Sequence, residues 1–139
     1  SALAVNVFLE KTLRSEKLPI HGSGRQTRTF IYVDDLVEAI TEVASRTGEI
    51  TGEIFNLAGS ETVSVLDLAQ RILRSIGRQP TDYEFTADRK GQVLREEISI
   101  KKAYDVLGWK PKVHLNAGLK LTLDWLNKQT DPLCSGSSR

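Results

Sequence analysis

The sequence predicts an α/β fold with few short strands and about five helices. Three observations carry that reading. Apolar residues recur at helical spacing over five stretches, short β-branched or aromatic runs fall between them, and glycine or proline punctuates the joins.

In chain order, residues 2–16 form the first amphipathic helix, with Ala4, Val5, Phe8, Leu9 and Leu13 at three- and four-residue intervals. Pro19 stops it, and residues 18–21 make a short extended piece before the turn Gly22-Ser-Gly24. Residues 29–33 (TFIYV) are expected to be a strand. Asp34 or Asp35 then caps a second helix that buries Leu36, Val37, Ile40, Val43 and Ala44. Gly48 and Gly52 bracket a loop, and residues 54–57 (IFNL) read as a short buried strand.

Ser64 with Asp67 forms a capping pair for the third helix, whose buried face is Val65, Leu68, Ala69, Ile72 and Ile76, and which ends at Gly77. Residues 82–86 form another strand, and the charged, aperiodic residues 87–97 a loop. Ser99 caps a short helix through Leu107, stopped by Gly108 and Pro111. The last helix, residues 115–128, carries Leu115, Leu119, Leu123 and Leu126 on one face. Residues 1–130 are thus expected to form one domain and 131–139 a frayed tail.

Bulk properties bound the function. A chain of 139 residues, 40% hydrophobic and 27% charged, suits one globular domain. Nineteen Lys+Arg against 18 Asp+Glu leave a formal charge of +1, so bulk charge recruits neither nucleic acid nor membrane. Any anion site must be local. The single cysteine, Cys134, can form no internal disulfide, which favours a reducing, cytoplasmic setting.

Catalytic constellations do not assemble. A dinucleotide cradle needs Gly-x-Gly-x-x-Gly between strand and helix; the candidate at Gly22 and Gly24 has Thr27 in third place and precedes a strand. No Tyr-x-x-x-Lys pair exists, since Tyr32, Tyr83 and Tyr104 are followed four residues later by Leu36, Ala87 and Gly108. His21 and His114 are too few for a metal cluster and read as solvated loop residues. Ser99-x-x-Lys102 matches a serine–lysine nucleophile pattern, but the serine is better placed as a helix cap.

What remains is basic. Arginines sit beside glycines and polar amides in three segments: His21-Gly-Ser-Gly-Arg25-Gln26-Thr-Arg28, Gly52-Glu-Ile-Phe-Asn56-Leu-Ala-Gly59, and Asp88-Arg89-Lys-Gly91-Gln-Val-Leu-Arg95. The guanidinium fork donates two parallel hydrogen bonds to phosphate and stays charged. Each charged bond contributes roughly 1.5–3 kcal/mol, and micromolar affinity needs about 8 kcal/mol. Two or three converging arginines could therefore hold a diphosphate, although spacing alone does not establish convergence.

These segments resemble, in order, the motifs of the NAD-dependent nucleotide-sugar epimerases, dehydratases and decarboxylases, the extended short-chain dehydrogenase/reductases. Gly22 to Asp35 resembles GxGxQxRxFxYVxD, Gly52 to Gly59 the GEvyNiG strand, and Asp88 to Pro111 the DRPGDxR…K…LGWxP stretch. The last helix resembles the family's terminal helix, with Gly118, Thr122 and Trp125 in place. The similarity covers residues 2–128.

The resemblance implies a partial Rossmann-type, C-terminal portion that binds a UDP- or dTDP-sugar. Arg28 and Arg95 would contact the diphosphate, Gln26 and Asn56 would be second-rank polar contacts, and Arg89 would line the pocket or support its loop. Asp34 and Asp35 would cap, while Trp109 and Trp125 would pack in the core. NAD belongs to the parent family; no cofactor, catalytic residue or metal ligand is expected in this chain. The first βαβ units and the tyrosine–lysine pair are absent from the sequence, so the chain is expected to be inactive alone. Its expected partners are the missing Rossmann domain or further copies of itself. Lys90, Gln92 and Ser99 depart from the family pattern and leave sugar specificity open. The alternative is a self-associating or partner-binding module with no retained ligand.

Overall fold

A computed structural model describes residues 4–46, 48–89, 91 and 93–130. The expected tail, Cys134, Lys90 and Gln92 lie outside the described residues.

The chain folds as α1 (Ala4–Leu13), β1 (Leu18–His21), β2 (Thr27–Thr29), α2 (Val33–Ser45), β3 (Thr62–Ser64), α3 (Val65–Ser75), β4 (Tyr83–Thr86), a π-helical turn (Ala103–Leu107) and α4 (Leu115–Thr130). Among the described residues, four α-helices, one helical turn and two small sheets match the expected α/β class. β1 pairs in parallel with β4, Leu18 opposite Tyr83 and His21 opposite Thr86. β2 pairs antiparallel with β3, Arg28 opposite Val63.

Local sequence explains the clearest elements. Ser64 Oγ accepts a hydrogen bond from Asp67 N at 3.1 Å, the expected N-cap of α3. That helix buries Leu68, Ala69, Ile72 and Leu73 against Phe8 and Leu9 of α1 and Leu18 and Ile20 of β1. Leu119 and Leu123 of α4 close the same core, as their periodicity predicts. Arg71 on α3 bonds Asp67 and Glu61, both at 2.9 Å, and Asn116 of α4 at 3.3 Å. Burial opposes the Arg71 charge, but the two carboxylates outweigh it and hold its pKa above the ordinary arginine value.

Several expectations are corrected. The expected strand over 29–33 is instead β2 over Thr27–Thr29, followed by half-buried irregular residues and α2 from Val33. Its ladder partner is short, because Ser64 must leave β3 to cap α3. The chain at Phe30 also meets Gly59, where an added Cβ would lie 1.8 Å from the Phe30 carbonyl oxygen. Residues 54–57 form no strand; Ile54 is 80% exposed, and only Phe55 and Leu57 pack against the second core of Ala39, Ala103, Leu107 and Trp109.

On α2 the helical period holds, but Val37 and Ile40 are exposed and Asp35 and Ala39 are buried. The N-cap of α2 is Tyr32, with no side-chain cap bond. Asp35 does not cap: its carboxylate accepts from the N–H of Lys112 (3.1 Å) and Val113 (2.9 Å). Trp109 packs as expected and donates to the Asp35 carbonyl at 3.0 Å. Trp125 is exposed on α4 and is not a core residue. No helix among the described residues is long and apolar enough to cross a membrane.

Candidate functional site

The first basic segment leaves β1 through Gly22 and Gly24, both in the left-handed region at φ +64° and +70°. This turn precedes β2, as expected, so it does not open a helix. The place a Gly22 side chain would take is filled by the Asp88 carboxylate, 2.8 Å from the added Cβ. Gln26 is buried, and its side-chain amide donates to the His21 carbonyl at 3.0 Å. That bond pins the turn, which makes Gln26 a support for the segment.

Arg28 lies on β2. Its Nη1 donates to the Val93 carbonyl at 2.9 Å and to the Thr27 carbonyl at 2.6 Å, and its Nε stands 3.9 Å from a Glu96 carboxylate oxygen. The third basic segment runs alongside. Thr27 N–H donates to the Leu94 carbonyl at 2.9 Å, and Glu96 N–H to Thr27 Oγ1 at 3.3 Å. The fold therefore sets the backbone around residue 95 against the strand that carries Arg28. The Arg95 side chain itself is largely exposed and pairs with Glu97.

Arg89 sits at the other end of that loop. Its Nη2 bonds His21 Nε2 at 2.9 Å, and its backbone N–H donates to the Asp88 carboxylate at 2.8 Å. His21 is thus no solvated loop residue; it is half-buried at the end of β1, with Nδ1 2.8 Å from Thr86 Oγ1 and 3.2 Å from the Ala87 carbonyl. His114 is exposed and meets Ser60 Oγ at 3.2 Å. Asn56 is exposed between the half-buried Phe55 and Leu57, which pack against the second core.

Gln26, Arg28, Arg89 and the backbone at Arg95 thus share one region, the β1–β2 turn with the 87–97 loop. Asn56 does not join it. Sequence reasoning missed His21, Asp88 and Glu96 as partners there, because each contact spans 65 or more residues and has no local signal.

Other chemistry finds no support in the geometry. Ser99 Oγ accepts from Lys101 N at 3.4 Å, a turn contact, while Lys102 pairs with Glu53 and lies 5.0 Å above the Phe55 ring. No group of three metal-ligating side chains occurs among the described residues. A cavity of about 300 Å³ opens between α1, residues 30–33 and α4, lined in part by Asn6, Tyr32, His114 and Thr122. None of the five expected site residues lines it.

Comparison with known proteins shows the family and the fold. Residues 4–122 match the family described as GDP-mannose 4,6 dehydratase. The chain is 35% identical over 127 residues to mouse dTDP-D-glucose 4,6-dehydratase, covering 87% of this chain and 35% of that protein. It is 36% identical over 117 residues to UDP-glucuronic acid decarboxylase 2 of Arabidopsis thaliana, covering 84% of this chain and 25% of the relative. Among solved structures, the fold matches UDP-glucose 4-epimerase of Thermotoga maritima, determined with UDP-glucose, at a TM-score of 0.83 and 33% identity, covering 92% of this chain and 40% of that one. UDP-glucuronic acid 4-epimerase of Bacillus cereus, determined with UDP-glucuronic acid and NAD, gives 0.84 at 28% identity, covering 91% and 40%. The chain spans 35% of the mouse relative's length. By motif order, fold and sequence together, it belongs to the GDP-mannose 4,6 dehydratase family, among the NAD-dependent nucleotide-sugar epimerases and dehydratases of the extended short-chain dehydrogenase/reductase type.

Proposed function

We propose that this chain is the nucleotide-sugar-binding portion of an NAD-dependent sugar epimerase or dehydratase and holds the diphosphate of a UDP- or dTDP-sugar. One observation carries the reading: β2, with Arg28, and residues 93–96, with Arg95, are joined backbone to backbone at Thr27 and Leu94. Two guanidinium groups on adjacent segments suit a diphosphate, whose two phosphoryl groups each accept charged hydrogen bonds. Arg28 is pre-positioned by Val93 and Thr27, and the exposed Arg95 would exchange Glu97 for the ligand. Arg89 lines the same loop and Gln26 supports the turn, while Asn56, outside that region, is not part of the proposed diphosphate contact.

Among the described residues no glycine-rich turn between a strand and a helix offers a cradle for the NAD pyrophosphate. β3 runs directly into α3 through Thr62-Val-Ser64 without a glycine turn, and Gly22 and Gly24 lead into a strand. No step of hydride transfer is therefore assigned to this chain. In the whole enzyme, oxidation of a sugar hydroxyl and return of the hydride would fall to residues beyond the matched region, and the chain alone is inactive.

Calorimetric titration of the 139-residue chain with UDP and dTDP tests this reading. Binding that Arg28→Ala abolishes is expected; no binding of either nucleotide overturns it.

A second reading is favoured by a different feature. Val33, Val37 and Ile40 on α2, together with Ile54, are more than half exposed, and such apolar faces favour a partner chain or self-association. A concentration-dependent mass above 15.5 kDa without nucleotide binding would support this module in place of the first reading.

A further inference from the structure

The contacts of His21 define its protonation state by elimination. A guanidinium can only donate, so the 2.9 Å contact from Arg89 Nη2 requires a lone pair on His21 Nε2. A carbonyl can only accept, so the 3.2 Å contact with Ala87 requires the proton on Nδ1, where Thr86 Oγ1 at 2.8 Å also accepts. The ring therefore sits as the neutral Nδ1–H tautomer, anchored to β4 on one side and holding an arginine on the other. A second anchor lies at the same corner. The Asp88 carboxylate accepts from Arg89 N–H at 2.8 Å and packs where Gly22 leaves room for it.

We infer that His21 is the positioning residue for Arg89, its Nε2 holding that guanidinium ready for an anionic ligand. The inference rests on the diphosphate-binding reading above. An exposed arginine otherwise spreads over many rotamers, and its ordering would weigh against ligand binding. With His21 as acceptor, both its backbone and its side chain are restrained before a ligand arrives. A proton on Nε2 would remove the acceptor and set two cations face to face. Of the charged groups at this corner, Arg89 bonds the ring and the Asp88 carboxylate sits against Gly22, while Glu84 pairs in register with Pro19 on β1. Arg25, beyond the glycine turn, is exposed.

The test uses the full chain with His21→Phe, His21→Gln and Arg89→Ala. Glutamine keeps a side-chain oxygen that can accept from Arg89, whereas phenylalanine does not. Imidazole nitrogen shifts at neutral pH should show a protonated Nδ1 and an unprotonated Nε2. The Arg89 Nη–H resonance should be displaced from the free-arginine position in the native chain and in His21→Gln, and return to it in His21→Phe. UDP affinity should fall about threefold or more in both His21→Phe and Arg89→Ala, with no further fall in the double variant, and recover in His21→Gln.

An Nε2–H tautomer, or an Arg89 resonance indifferent to His21→Phe, overturns the inference. UDP affinity unchanged in His21→Phe while Arg28→Ala abolishes binding also overturns it and leaves the diphosphate reading standing. If the native chain binds neither UDP nor dTDP, the diphosphate reading fails, and the two resonance measurements alone decide whether His21 holds Arg89.

Discussion

Arg28 on β2 donates to the carbonyl of Val93 at 2.9 Å, so a residue expected to bind ligand also anchors the loop that carries Arg95. The Arg28→Ala substitution should therefore do two things. It should remove one charged hydrogen bond of roughly 1.5–3 kcal/mol and speed amide exchange at Thr27 and Glu96, whose N–H groups join the two segments. Exchange measured without ligand separates the anchoring role, and unchanged protection would show that Thr27 alone holds the loop.

Asp35→Ala should destabilise the fold by about 3 kcal/mol, since two backbone N–H groups lose a charged acceptor. Asp35→Asn keeps an oxygen for Lys112 and Val113 and should cost much less. Urea denaturation of the two variants checks this; equal losses would mean that the carboxylate charge, not its geometry, ties α2 to the segment before α4.

At Gly59 no side chain fits, because an added Cβ would fall 1.8 Å from the Phe30 carbonyl oxygen. Gly59→Ala should cost about 3 kcal/mol or more, since backbone on both sides must shift. Gly48→Ala is a useful contrast, as its added Cβ meets nothing within 4 Å and only its φ of +110° resists the change. A thermal melt showing Gly59→Ala as the milder of the two would contradict the close approach.

Glu16 hydrogen-bonds Lys11 at 2.6 Å, and that bond and charge hold its carboxyl below the ordinary glutamate value of 4.5. Because the folded value is depressed, the stabilisation is present above the unfolded value and is lost as pH falls through the folded one. Lys11→Gln should raise the Glu16 titration midpoint, read by carbon-detected resonance. A midpoint that stays put would show that Arg14 or the backbone, not Lys11, sets it.

Much of this fold was legible from local chemistry. Ser64 with Asp67, the α4 leucines, and Gly77 and Gly108 past their helices each act within a few residues, and each was found as expected. Errors came where a distant partner decides. The period of α2 was correct, but its buried side is set by Asp35 and Trp109, and the TFIYV run was cut short by Gly59 and by the brevity of β3. The site follows the same division. Arginine beside glycine was visible in the sequence, whereas the joining of Thr27 to Leu94 and of His21 to Arg89 needs contacts 65 or more residues apart.

The most direct test of the account compares UDP with uridine on the native chain and on the Arg28→Ala, Arg95→Ala double variant. The native chain should prefer UDP, each charged hydrogen bond to phosphate adding about tenfold or more, and the double variant should lose that preference. Equal affinity for UDP and uridine in the native chain would contradict the diphosphate site.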